Sequence, residues 1–372
     1  MIYLDNAATT FPKPPSVISE INFCLEKYCG NPGRSSHFLS IRSSEAIYST
    51  REKIAELLGV DTPEQIVFTY NATYALNMAI KTIISEKCHI LTSDFEHNSV
   101  IRPLESLSKR LGVEYTTFSA DGDIYESLRS NLRNDTRAII CSIASNVTGN
   151  NIPLEILSNF AKEHALYLII DASQAIGHID IDLKKTPCDA LCAPGHKGLF
   201  GIQGTGFVYF SEKRRRESFI EGGSGSESGS DTMPILLPEG YEAGTLATPS
   251  IVSLGAGIDF INEIGIANIN KGLWTMTDMI YDRLDSIKGV TIYNPGCGIV
   301  SFNYKDVESS MLSSMLDRYG ICVRGGLHCA PSVHRKIGTI SRGAVRVSLS
   351  CLNSTNDIDS FYSAIRDITS KI

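Results

Sequence analysis

The chain has little of what nucleic-acid-binding and membrane proteins need. Its 34 lysines and arginines are outnumbered by 41 aspartates and glutamates, so the formal net charge is −7. A protein that binds nucleic acid needs a basic surface, and the one dense basic run, Lys213–Arg216, is short enough to be a solvated helix end or loop. No segment reaches the ~18 consecutive apolar residues that a membrane span requires. We therefore expect neither a nucleic acid nor a membrane as a partner.

Signals for secretion and for a bound metal are also missing. In the opening MIYLDNAATT, Asp5 and Asn6 lie where a signal peptide would have its apolar stretch, so we expect a cytoplasmic protein. Without such a signal, the 10 cysteines are expected to be mostly reduced, buried thiols. No close cysteine pair has a second pair at zinc-finger spacing, so no metal site is predicted.

Short apolar runs alternate with amphipathic stretches through the middle of the chain. This alternation predicts an α/β fold with a mostly parallel sheet and helices on both faces. Such sheets bind ligands beyond the carboxyl ends of their strands, so the residues that follow each strand are the candidates for a site. Seven runs have strand character: Gln65–Thr69, His89–Ser93, Glu114–Phe118, Ala138–Ile143, Tyr167–Ile170, Ala190–Ala193 and Gly206–Phe210.

The pattern changes after about residue 250. Two long helical stretches are followed by short strands and a final helical segment, which indicates a smaller α+β domain. We predict a large ligand-binding domain over residues 14–250. The small domain is expected to contain residues 251–372 together with an N-terminal arm, residues 1–13.

Two predicted strands end in charged groups that need an explanation. Asp171 follows Tyr167–Ile170 and either caps the next helix or keeps a heteroaromatic ring nitrogen protonated, as pyridoxal-phosphate enzymes require. Lys197 lies between two apolar strands, where an ammonium is costly to bury. A Schiff base with a ligand removes that cost, and an exposed hairpin lysine is the alternative.

Three further strand ends have polar groups. Thr73 lies in the first turn of a helix, where it is either an ordinary capping residue or a phosphate ligand. His97 is either structural or able to stack on a flat ring. Asn146 has an amide that could bond a ring substituent. Each signal is weak alone, but together they put polar groups on one edge of one sheet.

The segment RGGLHCAP is the most specific feature of the chain. Its glycines permit close approach to a ligand, and His328 beside Cys329 favours a reactive thiolate, although a buried structural thiol is the alternative. Arg346 projects from an alternating strand, where it either binds a carboxylate bidentately or forms a surface ion pair.

The motifs taken together resemble a known family. DNAATT, NPGR, EHNS, SNVTGN, DASQA, GHK, EAGT and RGGLHCAP occur in the order seen in cysteine desulfurases and selenocysteine lyases, within the class V aminotransferase group. The resemblance runs from residue 3 to about residue 366. It implies the aminotransferase-like fold type I, with a mostly parallel seven-stranded sheet and a smaller α+β domain, and pyridoxal 5'-phosphate as the cofactor.

The resemblance implies how the cofactor ring is held. Lys197 forms the Schiff base and later moves the Cα proton. Asp171 pairs with the pyridine nitrogen, and His97 stacks on the ring as one of the catalytic groups. Asn146 and Gln174 contact ring oxygens.

For the phosphate, the resemblance implies Thr73 and His196 as ligands. Thr245 of EAGT is expected to reach in from the other subunit of a homodimer. Two positions depart from the family. Pro194 stands where a hydroxyl residue usually contacts the phosphate, and Ala72 where one is common near it, so contacts there are expected to be lost or rearranged.

For the substrate, the resemblance implies that Arg346 binds the carboxylate of L-cysteine and that Asn6, Arg34 and His328 border the pocket. The Cys329 thiolate attacks the substrate sulfur, a persulfide forms, and alanine leaves. The HCA segment resembles that of the branch with a short, ordered loop, in which persulfide transfer commonly depends on a sulfur-acceptor protein.

Other functions stay open at the level of the sequence. The first is a selenocysteine lyase, acting on L-selenocysteine, or another C–S lyase. Less favoured are a class V aminotransferase that does not use Cys329 and a non-catalytic sulfur-transfer scaffold.

Overall fold

The computed structural model describes residues 1–33, 35–211, 217–227 and 229–372. Arg34 and the basic run Lys213–Arg216 lie outside these residues. The α-helices of the described chain are α1 (Pro15–Lys27), α2 (Phe38–Leu57), α3 (Ala72–Ile83), α4 (Asn98–Leu111), α5 (Ile124–Ser130), α6 (Leu154–Glu163), α7 (Thr248–Ile264), α8 (Ile266–Asp285), α9 (Ser309–Asp317), α10 (Pro331–Lys336) and α11 (Thr355–Lys371). The strands are β1 (Ile2–Tyr3), β2 (Ile66–Thr69), β3 (His89–Ser93), β4 (Glu114–Phe118), β5 (Thr136–Ser142), β6 (Tyr167–Asp171), β7 (Ala190–Pro194), β8 (Gly206–Phe210), β9 (Val290–Gly296), β10 (Ile299–Tyr304), β11 (Ile321–Cys322), β12 (Arg324–Gly326) and β13 (Ala344–Ser348).

The central sheet has seven strands in the order β2-β8-β7-β6-β5-β3-β4. Every pair from β7 to β4 is parallel, while β8 is antiparallel to both β7 and β2. The predicted mostly parallel sheet is therefore confirmed, and all seven predicted strands occur with bounds shifted by at most two residues. Because β2, β3, β5, β6 and β7 run in the same direction, their carboxyl ends share one edge.

A second, antiparallel sheet has four strands in the order β12-β13-β10-β9. Helix α8 contacts β9 and β10, and α11 contacts α8 and α9. The N-terminal β1 pairs in parallel with β11, and Asp5 bridges to Ser348 at the end of β13. The arm therefore packs beside this sheet.

The largest hydrophobic cluster contains buried residues of both sheets, such as Phe68 and Leu191 of the central sheet and Val345 of the second, together with Phe361 of α11. A second cluster lies under α3 and α4 on the other face of the central sheet. The two-domain division at residue 250 stays a prediction. No single helix among the described residues is long and apolar enough to cross a membrane, and only α7 and α8 taken together, across a bend of 79°, reach that length and composition.

Candidate active site

A cavity of about 540 Å³ opens at the carboxyl edge of the central sheet, where ligands of such folds bind. Most of the predicted cofactor residues line it, and they come from the segments that follow β2, β3, β5, β6 and β7. The lining residues are Asn71, Ala72, Thr73, Leu76, His97, Ser99, Ser142, Ala144, Asn146, Asp171, Ser173, Gln174, Pro194, His196 and Lys197.

Lys197 lies in the short connection between β7 and β8. The pKa of its amine is lowered from 10.5 to about 8, mainly by burial. Asp171 opposes this shift, and the nearby Arg346 and Arg324 contribute to it. The connection itself packs tightly, since a Cβ added at Gly198 would lie 2.2 Å from the carbonyl oxygen of Ile176. The site therefore holds a lysine with an appreciable neutral fraction near pH 8.

Asp171 ends β6 and is almost completely buried. Its Oδ1 accepts a hydrogen bond from the backbone N–H of Ser173 at 2.9 Å. Its Oδ2 lies 3.4 Å from the hydroxyl of Ser142, at the end of the neighbouring β5. The carboxylate thus faces the same cavity as Lys197.

His97 caps the N-terminus of α4, because its Nδ1 accepts the backbone N–H of Ser99 at 3.1 Å. The remaining ring nitrogen, Nε2, then carries the proton. Burial lowers the pKa of His97 to about 4, so the imidazole is neutral at physiological pH. The Ser99 hydroxyl lies 2.8 Å from that of Thr73, so the first turns of α3 and α4 meet beside the cavity.

Three other predicted cofactor residues also make contacts within the protein. Asn146 donates from Nδ2 to the carbonyl of His328 at 2.7 Å, and its buried Oδ1 has no partner in the described chain. Gln174 donates to the carbonyl of Ala7 at 2.9 Å. His196 has a buried, unpartnered Nδ1, and burial lowers its pKa to about 4.

The N-terminal arm holds the lysine connection from outside. The backbone carbonyl of His196 accepts hydrogen bonds from the backbone N–H of Thr10 at 3.1 Å, the Thr9 hydroxyl at 3.1 Å and the Lys13 ammonium at 3.1 Å. The DNAATT motif and the residues after it therefore help to fix the position of Lys197.

Cys329 is exposed and lies on a groove that shares Thr73, His97 and Ser99 with the cavity. Both His328 and Cys329 have left-handed backbone angles, with φ of 51° and 57°, a costly conformation for residues with a Cβ. The Asn146 side chain donates a hydrogen bond to the carbonyl of His328. The backbone N–H of Asn98 donates one to the carbonyl of Cys329 at 2.8 Å.

The His328 ring is buried and has protein partners on both nitrogens. Its Nε2 lies 3.2 Å from the carbonyl of Arg324, and its Nδ1 lies 3.1 Å from Nε2 of His334. His334 in turn bonds the Thr339 hydroxyl at 2.7 Å. Because the Arg324 carbonyl needs a donor, the chain runs from Thr339 through His334 to His328. The sequence predicted His328 at the pocket border, but its observed contacts stabilise the Cys329 turn.

Arg346 is about 1% exposed, so the ion pair weighed as a surface contact is buried at the arginine and only partly exposed at its partner Asp5. One terminal nitrogen donates to the carbonyl of Asn146 at 2.8 Å and the other to Asp5 at 2.7 Å, while Nε has no partner in the described chain. Asn6 donates to the carbonyl of Ser348 at 3.0 Å. Both predicted substrate residues therefore lie where the arm meets β13.

Of the predicted cofactor residues that the structure describes, Thr245 lies away from the cavity. Thr245 lies in a different hollow with Tyr70 and Tyr74, beside the edge strand β2. Arg34 lies outside the described residues. Sequence reasoning in turn missed Arg324, which pairs in register with Arg346 and acts electrostatically on Lys197. The RGG of the RGGLHCAP motif contains it, so that motif was the available signal.

Known proteins resemble the chain over almost its whole length. A family model described as aminotransferase class-V matches residues 2–361. A probable cysteine desulfurase of Methanothermobacter thermautotrophicus is 31% identical over 380 residues, which cover 99% of this chain and 94% of that protein. Another, of Halalkalibacterium halodurans, is 29% identical over 377 residues, with coverages of 96% and 91%.

Among solved structures, the apo structure of a cysteine desulfurase from Thermococcus onnurineus NA1 has a TM-score of 0.93 and 28% identity, and the match covers 100% of this chain and 95% of that one. This similarity confirms the predicted aminotransferase-like, mostly parallel seven-stranded α/β fold.

Proposed function

Because this chain belongs to the aminotransferase class-V family, and relatives matching nearly its whole length are named cysteine desulfurases, we propose that it is a pyridoxal-phosphate-dependent cysteine desulfurase. It would convert L-cysteine to L-alanine and take the sulfur onto Cys329 as a persulfide. The observation that carries the proposal is the meeting of Lys197, Asp171 and His97 around one cavity, with the exposed Cys329 on the adjoining groove.

The groups around the cavity fit pyridoxal phosphate. The buried Oδ1 of Asn146 and Nδ1 of His196 lack partners in the described chain, and such orphaned atoms favour a polar ligand that pairs with them. The N-terminus of α3, with Ala72 and Thr73, suits a phosphate. Ser99, which bonds Thr73, offers a hydroxyl that Pro194 cannot provide.

The residues of this chain have distinct tasks in the proposed reaction. When bound, the cofactor supplies an electron sink for the carbon next to the substrate amino group. Lys197 would hold it covalently and, once released, move the Cα proton, for which a pKa near 8 is suited. Asp171 would keep the ring nitrogen protonated. His97, neutral at physiological pH, would stack on the ring, while Asn146 and Gln174 bond its oxygens.

Cys329 would act as the nucleophile on sulfur. Its thiolate forms a bond to the substrate sulfur while the Cβ–S bond breaks, and the bonding electrons stay on the carbon, which takes a proton and becomes the methyl group of alanine. Because hydrogen bonds hold the carbonyls of His328 and Cys329, the thiol is presented from a rigid turn.

Arg346 would bind the substrate carboxylate, with Asn6, Arg34 and His328 bordering the pocket. The unpartnered, buried Nε of Arg346 supports this role, since a guanidinium group leaves no N–H unpaired without cost. Arg324, on the neighbouring strand β12, is a second candidate for the same carboxylate.

We further propose a homodimer, in which Thr245 of one subunit reaches the phosphate held by the other, and a sulfur-acceptor protein that discharges the persulfide. The reaction needs a free Cys329 thiol, which suits the reducing cytoplasm.

Product analysis tests the function. Purified protein reconstituted with pyridoxal phosphate is incubated with L-cysteine and, separately, with L-selenocysteine, and alanine, sulfide and selenide are measured. We expect equal yields of alanine and transferred sulfur from L-cysteine. Turnover of L-selenocysteine alone would establish a selenocysteine lyase instead. A protein that never develops the yellow absorbance of a bound cofactor would be the non-catalytic scaffold.

A further inference from the structure

Glu96 is a completely buried carboxyl group with no part in the reaction proposed above. It lies between β3 and α4, directly before His97. No lysine, arginine or histidine forms an ion pair with it in the part of the chain that the structure describes. Burial raises its pKa from 4.5 to about 8, because the ionised form loses its hydration. At neutral pH the carboxyl is therefore mostly protonated.

Ser142 connects Glu96 to the carboxylate that faces the cavity. It ends β5, directly opposite Asp171 at the end of β6. Its Oγ lies 3.1 Å from Oε2 of Glu96 and 3.4 Å from Oδ2 of Asp171. Its backbone N–H donates to Oε1 of Glu96 at 3.0 Å, and the hydroxyl of Ser93 also bonds that oxygen. One serine hydroxyl thus lies between two buried carboxyl groups.

A hydroxyl group has one hydrogen, so it cannot donate to both carboxyl groups. If both were ionised, two like charges would be buried close together, and one of them would face an oxygen lone pair. If Glu96 is protonated, its O–H donates to Ser142 and the Ser142 O–H donates to Asp171. Oε1 of Glu96 stays free to accept from Ser93 and Ser142. Every hydrogen then has an acceptor, and the pair has one charge.

We propose that Glu96 is a positioning residue that keeps its proton and, through Ser142, holds Asp171 as the single carboxylate of the pair. The proposal deepens the proposed function and rests on it in one respect, since the charge on Asp171 is what would hold a protonated ring nitrogen beside Lys197.

Among the described residues, no other titratable group near the pair takes over this task. Cys141 and Cys192 face the carboxyl groups from β5 and β7, and burial raises the pKa of both thiols well above the ordinary range, so they stay neutral. His97 is neutral as well, because burial lowers its pKa. Lys197 lines the cavity together with Asp171, whereas Glu96 is not among the lining residues.

Infrared spectroscopy of the cofactor-free protein tests the proton directly. We expect a C=O stretching band of a protonated carboxyl group at pH 7 that fades as the pH rises through about 8. Labelling glutamate with ¹³C at the side-chain carboxyl should shift the band, a result that needs no variant. Absence of the band at pH 7, or a band that the label does not shift, would overturn the proposal.

Variants assign the band to one residue. Glu96→Gln should remove it. Glu242→Gln is the matched control and should leave it, because Glu242, also buried, is paired with Arg51 at 2.9 Å. Asp171→Asn should leave it too. A band that disappears in Asp171→Asn would put the proton on Asp171 and reverse the assignment.

Cofactor affinity tests the connection to Asp171. Glu96→Gln keeps an N–H that can donate to Ser142, whereas Glu96→Leu has no donor. We expect Glu96→Leu to bind pyridoxal phosphate about tenfold more weakly than Glu96→Gln, in fluorescence titrations of the apoprotein. Equal affinities would contradict the positioning role. If the wild type binds no pyridoxal phosphate at all, the proposed function fails, while the infrared band still decides whether Glu96 has the proton.

Discussion

Lys197 and His97 face the same cavity, and burial shifts both towards their neutral forms. The pKa of Lys197 falls to about 8 and that of His97 to about 4. A neutral amine is the form that attacks an aldehyde, and a neutral imidazole can stack on a ring without repelling the pyridinium. The local electrostatics therefore suit both proposed roles.

The rate at which the apoprotein takes up pyridoxal phosphate should rise with pH and reach half its maximum near pH 8. The neutral amine is the reactive form and predominates above the pKa, whereas an ordinary lysine has its midpoint near 10.5. Stopped-flow absorbance at one cofactor concentration measures this rate across about pH 6.5–10, the range over which the amine titrates.

Lys13 is the matched control for this measurement, because burial also lowers its pKa to about 8. Lys13→Met should leave the midpoint in place, because the Thr10 N–H and the Thr9 hydroxyl still hold the His196 carbonyl. Borohydride reduction followed by peptide mapping should find the cofactor on Lys197. Attachment to any other lysine would refute the assignment.

Replacing Cys329 with serine should give a folded protein that binds the cofactor but releases little sulfide. Serine keeps the size of the side chain, yet its hydroxyl is neither easily ionised nor able to accept sulfur. Sulfide release from L-cysteine under a reducing agent measures the loss, and mass spectrometry after cysteine treatment should find one extra sulfur on the Cys329 peptide.

Cys29 is the matched control, because it is the other exposed cysteine of the described chain. Cys29→Ser should keep wild-type activity. Normal sulfide release by Cys329→Ser, or extra sulfur on the Cys29 peptide, would show that the proposed mechanism is wrong. Activity of Cys329→Ser towards selenocysteine is a less stringent test of the mechanism, because selenium leaves more readily than sulfur.

Motifs in the sequence indicated most of the residues around the cavity, because strand-end polar groups and GHK stand out against apolar runs. Glu96 could not be found in this way. Its importance lies in a contact across the chain with Ser142, which is 46 residues away. A single sequence does not indicate which polar side chains will form a buried hydrogen bond with each other.

At the scale of elements, the neighbouring strands β12 and β13 put two arginines side by side. Arg324 and Arg346 are register partners, and the Arg346 side chain passes under the N-terminal arm to Asp5. The buried ion pair means that Arg346 also holds the arm to β13. Substitutions at this position should therefore affect both binding and stability.

Arg346→Ala should raise KM for cysteine while cofactor absorbance survives. A charge-assisted hydrogen bond contributes roughly 1.5–3 kcal/mol, so a KM increase of at least about tenfold is expected. Asp5→Asn is the control: it breaks the ion pair and should lower the melting temperature, but it should leave KM nearly unchanged.

Arg324→Ala separates the two arginines. If it raises KM and Arg346→Ala does not, Arg324 is the carboxylate ligand and Arg346 only holds the arm.

Helix α2 shows why some elements are hard to predict from the sequence. Ser40, Ser43, Thr50 and Arg51 lie on its buried side, so the hydrophobic pattern of a helix is weak. Arg51 is buried because it pairs with Glu242 and contacts the Phe68 ring. The partner lies 191 residues away, and no local pattern reveals it.

For the whole molecule, the alternation of strands and helices predicted the mostly parallel sheet, and the seven strand-like runs are the seven strands of that sheet. The exposed apolar side chains bear on the proposed dimer. They lie on α1 and at the start of α2, and they include Ile18, Phe23, Leu25, Phe38 and Leu39. Exposed apolar surface of this kind is typical of an interface. We therefore expect sedimentation velocity to show a dimer.

Mixed dimers test whether Thr245 serves the partner's phosphate. Chains with Thr245→Ala alone should bind pyridoxal phosphate weakly. When they are mixed with Lys197→Ala chains, each heterodimer should regain one tight site, because the intact Lys197 is then completed by an intact Thr245 from the other subunit. If mixing restores nothing, Thr245 acts within its own chain or not at all.

The N-terminal arm has a consequence for biosynthesis. Asp5 and Arg346 are 341 residues apart, and Ile2 pairs with Ile321. On the ribosome, the central sheet and its lysine cavity can assemble well before β13 has been made, because domains fold as they emerge. Residues 2–5 of the arm must wait in solution throughout that time, whereas Thr9, Thr10 and Lys13 can already bond the His196 carbonyl. A nascent chain can therefore hold a formed lysine cavity, while the arginine pocket appears only after β13 has emerged.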